Sequence, residues 1–204
     1  MLTCFAVSVP AAELAVQFTD PANTPLADAV VYVASATGRS TRQGDAKHRQ
    51  ILQRNRIFEP MVTVVEKGTA VDFPNEDNML HHVYSFSPAK RFEIRLYKGT
   101  SPSPVVFDKS GIVVLGCNVH DWMIAYVIVL DTPYYAKAGA DGVAKLVDLP
   151  AGTHEVMAWY PGLREAASIG RVTLSADASQ SLSHQSKNSA RTRPIAPPLD
   201  PMRY

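Results

Sequence analysis

Several things are scarce in this chain of 204 residues, and each scarcity closes off a class of function. Only two residues are cysteine, Cys4 and Cys117. That is too few for the disulfide framework of a small secreted scaffold. Lys and Arg number 20 against 19 Asp and Glu, a formal charge of +1, so the chain lacks the basic surplus that a nucleic-acid partner calls for. No apolar run reaches the roughly 18 residues that a membrane span needs. The acidic residues Glu76, Asp77 and Asp121 have no Ser-His-Asp or zinc-protease arrangement around them. Solvation and turn formation account for them better than acid/base work, and an enzyme is not expected. No internal repeat is evident. What is plentiful is proline, 15 residues scattered along the chain and gathered only near its end. Many turns and short strands follow, and the fold class read from this pattern is all-β.

The opening MLTCFAVSVPAA is apolar and ends in small residues before Glu13. It reads as the remnant of an export signal over residues 1–12, cut after Ala11 or Ala12, although no basic segment precedes it. That places the protein in the periplasm. No small residue of the lipoprotein type stands before Cys4, so a lipid anchor there is not expected. Removal of the signal leaves Cys117 as the single cysteine. An unpaired thiol in an oxidising compartment is buried, reactive or metal-bound.

Five stretches are expected. After the signal, residues 13–56 form a strand pair, LAVQFTD and AVVYVASA, followed by a polar loop over residues 37–56 in which His48 is a solvated surface residue. Residues 57–131 contain about seven strand-like runs, among them VTVV and AVDF flanking a hairpin turn EKGT, and this density suits a Greek-key sandwich. Its last run, MIAYVIVL, is apolar throughout and belongs in the middle of a sheet. Residues 132–182 carry VAKLVDL, THEVMAWY and GRVTLSA between turn signals, with His154 on a strand and exposed. The N-terminal pair and this C-terminal part are expected to share one sheet system, with the middle unit inserted; two tandem sandwiches are the alternative. Residues 183–204, polar and Pro-rich, read as a disordered tail.

Chemistry concentrates in GCNVHDWM, residues 116–123, where Cys117, His120 and Met123 share one short loop. A thiolate, an imidazole and a thioether together suit copper, and one further histidine completes an electron-transfer set. The segment FPNEDNMLHHVYSFS, residues 73–87, offers His81 and His82. Period two places His81 with Val83 and Ser85, and His82 with Tyr84 and Phe86. By apolarity alone the aromatic face would be the core, which favours His82. A closed zinc site from Cys117, His120 and a third ligand, with Met123 idle, is a further alternative.

The two segments together resemble the cupredoxin (blue copper) superfamily, in which an Asn precedes a ligand His by six residues and a Cys-x-x-His loop ending in Met follows. Asn75 and His81 have that spacing, and Cys117, His120 and Met123 match the short, amicyanin-like loop. The strings DFPNEDNMLHHVYSFSPAKRFEIRLY and GCNVHDWM also look like the methylamine utilization protein-like group, and the flanking strands like a small carboxypeptidase-regulatory-like sandwich. The resemblance implies a type 1 copper site held by His81, Cys117, His120 and Met123, with His82 as an alternative ligand or a neighbour. It implies a one-electron carrier meeting a redox protein, of cytochrome c or dehydrogenase type, through a weak contact. Electrons would pass the exposed edge of His120, rimmed by Met79, Leu80 and Trp122. Three positions depart from the pattern: His82 replaces the usual Asn, Gly116 the usual aromatic, and Asp121 the usual Pro. A copper-binding carrier or interaction module without electron transfer is the alternative function.

Overall fold

The computed structural model describes residues 12–34, 48–100, 103–187 and 195–198. The described residues form strands and turns with no helix, so the chain is all-β. In chain order the first strands are β1 (Ala12–Thr19) and β2 (Val30–Val33). Then come β3 (His48–Gln50), β4 (Leu52–Arg54), β5 (Ile57–Glu59), β6 (Val62–Glu66) and β7 (Thr69–Asp72). These lead into β8 (His81–Ser87), β9 (Lys90–Tyr97), β10 (Val105–Phe107), β11 (Gly111–Gly116) and β12 (Ile124–Leu130). The chain closes with β13 (Tyr135–Lys137), β14 (Val143–Leu149), β15 (Gly152–Trp159), β16 (Ala167–Leu174) and β17 (Ser179–Gln185).

Two compact units divide these strands. One takes the described residues of 12–34, 132–159 and 166–187, and the other those of 48–131, 160–165 and 195–198. In the first unit the sheets run β14-β1-β17 and β13-β2-β15-β16, so N-terminal and C-terminal strands are hydrogen-bonded to one another. Alternation explains the inner faces: Ala12, Leu14, Val16 and Phe18 are fully buried on β1, as are Leu146 and Leu149 on β14. The turn before β14 needs Gly142, whose φ is 73° and whose added Cβ would lie 2.5 Å from the Phe18 carbonyl oxygen.

The second unit holds a five-stranded sheet β6-β12-β11-β8-β9, a three-stranded sheet β10-β7-β3 and the hairpin β4-β5. Strand β12 lies between parallel β6 and antiparallel β11. It is buried at six successive positions, which is why its sequence does not alternate. The apolar core includes Phe73, Val83, Phe107, Val113, Leu115 and Val127, and Cys117 and Met123 belong to the same cluster.

Several readings change. The loop expected over 37–56 contains β3 and β4; β3 pairs in parallel with β7, and β4 pairs with β5. Their polar composition concealed them, since only Gln53 among these six residues is buried. VTVV and AVDF do not form a hairpin. β6 joins the five-stranded sheet and β7 the three-stranded one, because the Lys67 amide donates to Leu130 and the Gly68 amide to Phe107. The turn therefore carries the chain from sheet to sheet. β17 extends into the expected tail as a polar edge strand parallel to β1, with His184 edge-on to Phe18 at 5.9 Å. His154 is buried, not exposed, because its Nε2–H donates to the Pro150 carbonyl at 2.7 Å. Ala12 opens β1; the remainder of the export-signal segment, with Cys4, and most of the tail lie outside the described residues.

Candidate metal centre

The site forms at one end of the five-stranded sheet, where β8 begins and β11 ends. β8 delivers His81, the turn after β11 delivers Cys117 and His120, and Met123 precedes β12. The turn is closed by the Met123 amide donating to the His120 carbonyl at 2.9 Å. Donor atoms of His81, Cys117 and His120 all lie within 4.8 Å of one another, and all three residues are buried. The two imidazoles meet edge-on with centroids 4.9 Å apart. Met123, 1% exposed, packs in the core cluster that includes Cys117.

His81 and His82 separate cleanly. Along β8 the face carrying His81, Val83 and Ser85 is buried, whereas Phe86 on the other face is 74% exposed. Apolarity alone misleads here, because the aromatic residues line the outside. His82 Nε2 lies 2.9 Å from Glu93 Oε1 on β9, and its side chain is absent from the three-donor group. Its ring begins an outer stack, 5.4 Å from Tyr84, which is in turn 5.1 Å from Phe86. Gly116 follows from the same stack. Tyr84 pairs with it across the strands, and a Cβ there would lie 2.7 Å from Tyr84 Cζ. Glycine leaves room for that ring.

Electrostatics favour a thiolate. Burial pushes the Cys117 thiol up, but the His81 side chain and the amides of His82, Val119 and His120 stabilise its anion and bring it below its ordinary value. Burial lowers His81, while the Cys117 sulfur and the Asp77 carboxylate raise it further, to a net value above the usual imidazole. His120 is lowered by burial, then by the positive charges of His81 and Arg56. The buried Nδ1 of His81 has no hydrogen-bond partner, because Nε2 faces Asp77 Oδ2 at 2.7 Å. A buried imidazole nitrogen left over beside a thiol whose anion is favoured relative to a free cysteine is the chemistry a soft or borderline metal ion satisfies.

Several supporting residues escaped the sequence reading. Asp77, assigned there to solvation, accepts the amides of Asn55 and Arg56 at 2.7 and 2.8 Å as well as facing His81. Burial pushes its carboxyl up, and these hydrogen bonds bring it below the usual carboxylate range. Its position four residues before His81, inside the Asn75 spacing, was the available signal. Asn75 is itself buried. Its Nδ2 donates to the carbonyls of Met79 and Tyr97, and its Oδ1 accepts the Asp77 amide. The Tyr97 hydroxyl donates to the Phe73 carbonyl and accepts from buried Gln53, and burial chiefly pushes it up to about 12. The expectation that His120 shows an edge to solvent is corrected: it is 0% exposed. The Trp122 ring lies 4.9 Å from it, and Leu80 and Val119 are the exposed apolar residues of these two loops, at 51% and 44%.

No protein-family profile matches the chain, and no curated protein matches it. Among solved structures it is similar to a purple cupredoxin from Nitrosopumilus maritimus, at 22% identity over 40% of this chain and 98% of that one, with a TM-score of 0.36. A mutant of amicyanin in the Cu(I) state matches at 16% identity over 48% of this chain and 97% of that one, with a TM-score of 0.37. The copper-containing nitrite reductase NirK from Thermus scotoductus SA-01 matches at 18% identity and a TM-score of 0.40; 48% of this chain covers 26% of that enzyme. At such identities the cupredoxin likeness leaves the chemistry to the residues themselves.

Proposed function

We propose that this chain is an exported copper protein that carries single electrons, with His81, Cys117 and His120 as principal ligands and Met123 as the weak thioether ligand. The observation that carries this reading is the convergence of one thiol and two imidazoles, all buried, to within 4.8 Å. Copper, when bound to such a set, supplies a one-electron couple. The protein supplies the rest. Against the cost of burial, the Cys117 anion is stabilised by the His81 side chain and three backbone amides, His81 is turned by Asp77 so that Nδ1 points away from the carboxylate, and an apolar core cluster surrounds the sulfur. A set fixed in advance rearranges little when charge changes, which suits electron exchange better than bond-making, so we read a carrier rather than an enzyme. Leu80, Val119, Met79 and Trp122 form the apolar rim for a brief encounter with a redox protein of the cytochrome c or dehydrogenase type.

The test is an optical and EPR spectrum after adding copper(II), with voltammetry of the same sample. An intense thiolate-to-copper band, absent in Cys117→Ala, and a reversible wave are expected. A second reading, copper(I) binding without electron transfer, is favoured by the complete burial of His120. It predicts tight copper(I) uptake with no reversible wave.

A further inference from the structure

Two residues outside both ligand loops touch the supports of both histidines. Asn55 and Arg56 form the two-residue turn of the β4-β5 hairpin, closed by the pairing of Arg54 with Ile57. Both have positive φ, 54° and 58°, the mirror-image turn that suits a tight hairpin and favours Asn followed by Gly. Arginine at the second position carries a steric cost that glycine would avoid. Such an outlier invites a search for what the turn is used for.

Three backbone groups of this turn are engaged by side chains near the site. The Asn55 amide donates to Asp77 Oδ1 at 2.7 Å and the Arg56 amide to Oδ2 at 2.8 Å, and the same Oδ2 lies 2.7 Å from His81 Nε2. On the other side the Arg56 carbonyl accepts the Trp122 indole N–H at 2.9 Å, and its guanidinium carbon stands 5.9 Å from the Trp122 ring centroid. Trp122 in turn lies 4.9 Å from the His120 ring. From the sequence, residues 55–56 read only as the end of a polar loop.

We infer that the Asn55–Arg56 turn is a clip that positions both histidines before any metal arrives, His81 through Asp77 and His120 through Trp122. The inference rests on the reading of these histidines as ligands. Asp77, with both oxygens receiving amide hydrogens, is fixed in place and accepts only, so the His81 Nε2 that faces it carries a proton and Nδ1 is left as the nitrogen a metal would take. Carboxylate partners of this kind set the tautomer and the ring orientation of a ligating imidazole. Trp122, tied by its N–H, holds one side of His120. Neither Asp77 nor Trp122 is assigned to the metal; both are positioning residues.

The test compares wild type, Asp77→Asn and Trp122→Phe, first metal-free and then with copper(II). In 15N spectra of metal-free wild type, recorded at a pH high enough for His81 to be neutral, His81 should be the Nε2–H tautomer. Asp77→Asn should mix the tautomers and weaken copper(II) binding by about 10- to 100-fold. Trp122→Phe keeps an aromatic ring beside His120 and loses only the tether. It should weaken binding by about 10-fold and leave the His81 tautomer unchanged. Wild-type tautomer in Asp77→Asn, or affinity within about twofold of wild type in both variants, would overturn the clip. Should Asp77→Asn fail to fold, the Trp122→Phe affinity decides alone. Absence of copper uptake by wild type would sink the copper reading, and the metal-free tautomers would still decide the part of the clip that acts on His81.

Discussion

Both units bury histidine, and they do so for different ends. In the first, His154 is 5% exposed and donates to the Pro150 carbonyl. Its Nε2 is satisfied by backbone four residues away, and among the described residues it belongs to no cluster of metal-ligating side chains. In the second, His81 and His120 are 0% exposed and stand within 4.8 Å of a cysteine sulfur, with His81 Nδ1 lacking a hydrogen-bond partner. Burial of an imidazole is costly unless its nitrogens are used. The contrast teaches that burial alone does not mark a functional histidine; the other donors gathered beside it do.

The sharpest way to break this contrast is to exchange the outcomes. Cys117→Ala should reduce copper(II) affinity by more than about 100-fold, as loss of a thiolate ligand requires, measured by competition with a chelator of known affinity. His154→Ala should leave that affinity unchanged and cost about 1–2 kcal/mol in denaturant unfolding, since the Pro150 carbonyl loses its donor. A drop in copper affinity in His154→Ala would dissolve the distinction.

The next effect concerns the strand that presents His81. Gly116→Ala places a Cβ 2.7 Å from Tyr84 Cζ, and overpacking of this kind costs roughly 1–3 kcal/mol. Adding Tyr84→Ala to the same chain should recover part of that loss. A double variant no more stable than Gly116→Ala would mean that the ring does not explain the glycine. On β8 itself Val83→Ala should cost roughly 1–3 kcal/mol, whereas Phe86→Ser should stay within about 0.5 kcal/mol. Equal losses would put the aromatic residues back in the core.

That last pair marks where the sequence was legible. Cys117 and His120 were readable as neighbours because they are close in the chain and one turn brings their donors together, while Met123 is placed only in the core cluster beside Cys117. His81 was distinguishable from His82 only through its spacing from Asn75. Alternation along HHVYSF pointed the wrong way, because Tyr84 and Phe86 stack with His82 on the outer face of the sheet. β12 was legible as an interior strand since burial on both faces removes alternation. β3, β4 and β17 were not: short polar strands hold their places through backbone pairing, and composition carries no trace of a partner strand elsewhere in the chain. The same holds for Asp77, Asn55 and Arg56, whose roles rest on hydrogen bonds between segments that share no local pattern.

The smallest effect expected is one of pH. Asp77 lies below its ordinary value in the folded protein, so its contribution is present above the unfolded carboxylate value, near 4, and is lost as pH falls through the lower folded value. Metal-free wild type should therefore lose more stability than Asp77→Asn on acidification below about pH 4. Parallel curves would show that the carboxylate's contacts with Asn55, Arg56 and His81 contribute nothing net.

The central claim is that one sulfur and two imidazoles from these loops take up the same ion. X-ray absorption at the copper edge of the loaded protein tests it most directly. One short copper–sulfur contact and two imidazole nitrogens, with the short sulfur lost in Cys117→Ala and only the weak Met123 thioether remaining, is the predicted result. A shell of nitrogen and oxygen alone, unchanged by that substitution, would contradict it.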